Sequence, residues 1–140
     1  MNVQPYLYFD GRSQEAIDFY KSAIGAKPEM VMHFKDAPAE MQSQIKPGMA
    51  DKIMHACLKV GDTPVFVSDG HCNGGPLQFQ GITLTLNADS DAEADRLFGA
   101  LGKGGQIQMP MAETFFATRF GMVADKFGVS WMVLAAKKTT

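Results

Sequence analysis

ETFFATRFGMVADKFGVSWMVL, residues 113–134, decides how the chain is read. It carries two glycines, an Asp-Lys-Phe-Gly step at 125–128 and the only tryptophan, Trp131, and it has neither histidine nor cysteine. Val129, Trp131 and Val133 recur at every second position, the period of a strand with one covered face, so Trp131 is expected in the core. An aspartate at the start of a tight turn accepts hydrogen bonds from the turn's own backbone, which makes Asp125 a turn residue rather than a catalyst. The stretch reads as two strands, 119–125 and 129–135, forming one wall of a cavity.

Upstream, GQIQMPM (105–111) reads as a strand, DAEADRLFGALG (91–102) as a helix and ITLTLNA (82–88) as an alternating strand. Ser90 followed three residues on by Glu93 is a capping box. The first half of the chain has the same order. QPYLYF (4–9) is a short aromatic strand. A helix follows with Ser13 as its expected N-cap hydroxyl and Gly25 as its stop. PEMVMHF (28–34) reads as a strand, and KIMHACLKV (52–60) and PVFVSD (64–69) form a hairpin across Gly61-Asp62-Thr63, with Asp69 expected to cap its end.

The helices themselves match. Glu15-Ala16, Phe19-Tyr20 and Ile24-Gly25 are echoed by Glu93-Ala94, Leu97-Phe98 and Leu101-Gly102. Two copies are too few for a solenoid and point instead to two halves about a pseudo-twofold axis. The expected class is α+β: paired βαβββ modules whose curved mixed sheet surrounds a cavity, each helix covering one sheet face. Within a single domain 1–140, module one spans 3–70, the glycine-rich linker 71–81 and module two 82–136. Residues 35–51, polar and with two prolines, form a long connection that reads as a lid, a dimer arm or a plain excursion.

Composition narrows the partners. Hydrophobic residues make up 46% and charged residues 20%, ordinary for a folded domain. The net charge is −2 and Lys137-Lys138 is the only clear basic doublet, so the electrostatic footprint of a nucleic-acid binder is missing. No apolar run approaches a membrane span and the N-terminus lacks a leader pattern, which gives a cytoplasmic expectation with no membrane partner. Cys57 and Cys72 have no metal or redox spacing and are expected as free thiols.

The doubled βαβββ order, FYKSAIGAK, IMHACLKVGDTPVFVSD and the closing ETFFATRFGMVADKFGVSWMV together resemble the vicinal oxygen chelate superfamily of glyoxalases, bleomycin-resistance proteins and extradiol dioxygenases. The resemblance is to its PhnB-like branch and covers residues 4–135; Phe116 stands where a tryptophan is more usual. It implies a homodimer and a small-molecule ligand. Some members of the branch bear the label 3-demethylubiquinone-9 3-methyltransferase, yet the chain lacks the glycine-rich strand-to-helix turn that cofactor binding of that kind requires.

Metal-using relatives draw histidines and glutamates from the first and last strands of each half, and the resemblance places Gln4, Phe66 or Ser68, Thr83 and Met132 at those positions. That set suits no divalent ion, so neither metal nor cofactor is expected. Strand alternation sets Ile53, His55, Cys57 and Lys59 opposite Met54, Ala56, Leu58 and Val60, and puts Tyr6, Tyr8, His55, Ser68, Thr83, Thr85, Gln106, Gln108 and Met132 on the uncovered side, with Ile82, Leu84 and Leu86 on the covered one. Glu113 and Arg119 would either bind a charged ligand or pair with each other, and Phe116 would shape a pocket wall. His55 is the candidate catalytic base, ahead of His33 and His71. Three functions follow: a metal-free binder of a small organic molecule, a metal-independent lyase or isomerase using His55, or a metal-dependent enzyme of the superfamily, with the methyltransferase label beside them.

Overall fold

The computed structural model describes residues 1–70 and 77–137; His71 and Cys72 lie outside the described residues. The chain divides into two compact units, Met1–Pro76 and Leu77–Thr140. The first contains β1 (Tyr6–Tyr8), α1 (Ser13–Ile24), β2 (Lys27–His33), α2 (Ala39–Gln42), β3 (Ile53–Val60) and β4 (Thr63–Ser68). The second contains β5 (Leu84–Asn87), α3 (Asp91–Leu101), β6 (Gln106–Ala112), β7 (Ala117–Ala124) and β8 (Ser130–Ala136). Each unit has a four-stranded sheet, ordered β1-β4-β3-β2 in one and β5-β8-β7-β6 in the other. In both, one strand pair is parallel, β1 with β4 and β5 with β8, and the rest are antiparallel. The expected α+β arrangement of paired βαβββ modules is the observed one.

In the first unit α1 packs on β3 and β2. Ala16, Ile17, Tyr20 and Ala23, spaced for one helical face, are buried with Leu7, Ala56, Leu58, Val65 and Val67 of the sheet. Burying an aliphatic side chain of this kind stabilises by ~1.5–3 kcal/mol. Gly25 ends α1 at φ +68, a left-handed conformation that glycine adopts without a Cβ penalty. Ser13 is not the cap: Arg12 occupies that position with no side-chain cap bond, and the buried Ser13 hydroxyl donates to Asp69 at 2.7 Å.

In the second unit α3 packs on β7 and β8, burying Ala94, Leu97, Phe98 and Leu101 with Val123, Trp131 and Val133. Ser90 caps it as expected, accepting from Glu93 N at 3.1 Å, while the Glu93 carboxylate accepts from Asp89 N rather than from the cap residue. The strand expected over 82–88 is limited to Leu84–Asn87, since Leu84 is the first residue with a partner on β8, namely Trp131. Ile82 is therefore left before the strand and is 56% exposed.

A β-bulge alters the start of β3. Met32 pairs with His55 and His33 with Ile53, so two steps on β3 oppose one on β2. The extra residue reverses the expected sides: Ile53 is buried at 1% exposure, and Met54 turns to another surface. The connection after β2 is also more ordered than its composition predicts. A 3-10 turn at Phe34–Asp36 and the short α2 are tied down by Phe34 N to Lys52 O, Lys35 N to Ala50 O, and the Gln42 amide donating to Ala37 O at 2.7 Å.

Candidate functional site

The face of the first sheet turned away from α1 carries a cluster of rings. The parallel register sets Tyr6 beside Phe66 and Tyr8 beside Ser68, and the antiparallel register sets Cys57 beside Phe66. His55 lies two residues back on β3, so its side chain leaves from the same face. Tyr6 stacks on Tyr8 at 5.0 Å between ring centroids and on Phe66 at 5.8 Å; His55 stacks on Phe66 at 5.3 Å. The Tyr6 hydroxyl and His55 Nδ1 are hydrogen-bonded at 2.8 Å. Tyr6 and Tyr8 remain 40% and 39% exposed, so the rings offer flat surface to a visitor.

Burial pushes the Tyr6 phenol above its ordinary 10.0, opposed by a hydrogen bond with Ser68 and reinforced by Tyr8. The phenol thus holds its proton at neutral pH. With Nδ1 engaged by Tyr6, the imidazole presents Nε2 as its remaining polar atom. Ser68 is buried, its hydroxyl donating to Met54 O at 2.6 Å and accepting from Gly70 N at 2.8 Å.

The second unit places the other predicted residues on its own uncovered face. Thr83 Oγ1 donates to Ser130 Oγ at 3.1 Å and Ser130 Oγ to Gln108 Oε1 at 3.3 Å; Thr85 Oγ1 reaches Met132 Sδ at 3.9 Å. Ser130 escaped the sequence reading although its even spacing from Met132 marked it as sharing that face.

Several predicted residues stand apart from both groups. Gln4 is exposed ahead of β1, and Glu113 is exposed after β6. Arg119 does not meet Glu113: it alternates with Gly121 and Val123 on the helix-facing side and pairs with Asp95 of α3 at 2.9 Å, which raises its pKa. Phe116 packs edge-to-face on Phe115 and Phe120. Asp69 closes the open end of the hairpin as expected, its N donating to Ile53 O at 2.8 Å, and it does more than that. Its buried carboxylate accepts from Gly11 N, Ser13 N, Ser13 Oγ and Ile53 N, joining the entrance of α1 to the start of β3. Asp125 does form its turn, accepting from Phe127 N and Val129 N, and also from Trp131 Nε1 at 2.9 Å. His33 sits at the 3-10 turn, 3.6 Å from Asp36.

The positions implied as metal ligands do not fit a divalent cation. They offer an exposed amide at Gln4, a ring at Phe66 or a committed hydroxyl at Ser68, a Thr83 hydroxyl bonded to Ser130, and the Met132 thioether. Among the described residues no three His, Cys, Asp or Glu side chains converge.

The family model described as 3-demethylubiquinone-9 3-methyltransferase matches residues 1–134. Protein YjdN of Escherichia coli is 33% identical, over 99% of this chain and 97% of its own. Protein PA1353 from Pseudomonas aeruginosa is 41% identical and covers 99% of both chains with a TM-score of 0.83. A putative 3-demethylubiquinone-9 3-methyltransferase, PhnB protein, from Bacillus cereus is 25% identical at a TM-score of 0.78, over 97% of this chain and 100% of that one. The fold alone extends to a glyoxylase/bleomycin resistance protein/dioxygenase domain from Frankia, 15% identical at a TM-score of 0.64 over 98% of each chain. The methyltransferase wording is an inherited label: the turn from β1 to α1, Phe9-Asp10-Gly11-Arg12, holds a single glycine, and neither sheet is the doubly wound parallel kind. The chain belongs to the PhnB-like, 3-demethylubiquinone-9 3-methyltransferase family, whose members have no assigned reaction, and it shares its fold with the glyoxylase/bleomycin resistance protein/dioxygenase domain.

Proposed function

We propose that the protein binds a small organic molecule with a flat apolar body and one hydrogen-bonding edge on the ring-lined face of its first sheet. The observation that carries this reading is the Tyr6–His55 hydrogen bond at 2.8 Å set among stacked rings. Rings supply rigid contact area at low entropic cost, and a fixed polar pair orients a ligand against them. Thr83, Thr85, Gln108 and Met132 form a polar-thioether surface that the reading assigns to ligand contact in the second unit.

The runner-up is a metal-independent lyase or isomerase in which His55 Nε2 takes a proton, Nδ1–H donating to the Tyr6 hydroxyl oxygen so that Nε2 is the bare nitrogen. A thermal-shift screen of flat heteroaromatic metabolites separates the two. Binding alone raises the Tm of the wild type, is lost in Tyr6→Ala and Phe66→Ala, and leaves the compound unchanged. Catalysis converts the compound, and His55→Ala abolishes conversion while retaining uptake. A screen without any Tm rise overturns both readings.

Association as a cytoplasmic homodimer belongs to the same reading. Support comes from the outer strands, where Met30 and Val31 of β2 and Ile107 and Met109 of β6 are exposed. Light scattering at micromolar concentration checks it, and a monomer mass refutes it. Among the described residues no helix is long and apolar enough to cross a membrane.

A further inference from the structure

The first unit contains a cavity of about 220 Å³ beneath the connection between β2 and β3. Phe34, Met41, Ile45 and Met49 of the connection form one side, and Met54 of β3 forms the other. The β3 bulge is what aims Met54 there, while Ile53 stays in the core. Lys46 is the single charged side chain in the lining and Gln44 its single amide. No carboxylate of the described residues pairs with Lys46. The walls are held before any ligand arrives. Lys35 N donates to Ala50 O at 2.9 Å, the Gln42 amide clamps Ala37 O and Lys35 O, and Lys35 Nζ reaches Asp51 at 3.1 Å.

We infer that this cavity is a second ligand site, taking a small organic anion: an aromatic or short aliphatic body of about a dozen non-hydrogen atoms bearing a carboxylate. Three thioethers supply a polarisable lining that adapts to a ring edge. Selection for the anion comes from Lys46 at close range, because the chain as a whole is negative at −2. The site is separate from the ring-lined face. The two adjoin where Met54 precedes His55 on β3 and at Ser68, whose hydroxyl holds Met54 O and Gly70 N.

Methionine methyl resonances test the inference directly. In protein labelled with ¹³C at the methionine methyls, 1-naphthoate is expected to move the Met41, Met49 and Met54 signals along one saturable curve and to leave Met30 and Met32 of β2 in place. Lys46→Gln is expected to weaken 1-naphthoate about two- to five-fold, the range for an exposed ion pair, without affecting neutral 1-naphthamide. Met41→Glu, at a side chain 43% exposed and so tolerant of change, is expected to weaken the carboxylate further. Stationary Met41, Met49 and Met54 signals, or equal losses for carboxylate and amide in Lys46→Gln, overturn the inference. Movement of Met30 and Met32 instead overturns it as well, while supporting occupancy of the ring-lined face.

Discussion

Asp69 holds four donors from three places in the chain, and it is 1% exposed. Alanine there strands Gly11 N, Ser13 N and Ile53 N in the interior, at a cost of roughly 1–3 kcal/mol for each donor left without a substitute partner. Asp69→Ala is therefore expected to lose about 3 kcal/mol or more, read as a lower denaturant midpoint at constant slope; a loss under about 1 kcal/mol refutes this account. Tyr6 makes a second prediction. Its pKa is raised in the folded chain, so the stability tied to its neutral form is complete below the ordinary tyrosine value near 10.0 and is lost as pH climbs through the higher folded value. The 295 nm difference titration of wild type against Tyr6→Phe should show a step later than that of a free tyrosine. Asp125 was legible because its turn donors are two and four residues away, and the hairpin showed the Ile53 end of Asp69, whereas its donors at Gly11 and Ser13 lie 58 and 56 residues away and left no local trace.

At the scale of elements, period and punctuation carried most of the reading. Gly25 and Ser90 marked helix ends through chemistry that acts within a few residues, and alternation in β8 placed Trp131 inside. What alternation cannot register is an inserted residue, so the β3 bulge sent Ile53 to the wrong side. The short α2 was missed for a related reason, as four residues provide too little period to detect. Gly121 shows how tightly an element is fitted. A Cβ on it would stand 2.8 Å from Phe98 Cε2, 2.5 Å from Met111 Sδ and 3.2 Å from the carbonyl oxygen of Met109. Gly121→Ala should therefore push α3 off β7 and cost about 1–3 kcal/mol, measured by chemical denaturation. An unchanged midpoint would mean that Phe98 and Met111 simply swing aside.

For the whole molecule, two sheets with one strand order explain why the family was readable from the chain and the reaction was not. Strand order follows from period and connection length, which the helix echo made visible. Ligand contacts depend instead on which side chains meet across strands, as Tyr6 and His55 do, 49 residues apart. The same architecture sets a prediction against the inherited label: millimolar S-adenosylmethionine should leave the Tm unmoved, and a saturable rise would contradict the topology argument.

Trp131 is the only indole in the chain, and it is sealed into the second unit with its Nε1 bound to Asp125. Indole emission, excited at the red edge where the tyrosines of the first unit do not absorb, therefore reports on one half of the duplicated fold and is blind to the other. Cys57, a free thiol on the first sheet, gives the complementary handle once Cys72 is replaced by serine. A maleimide dye there would let the two halves be watched unfolding in separate colours.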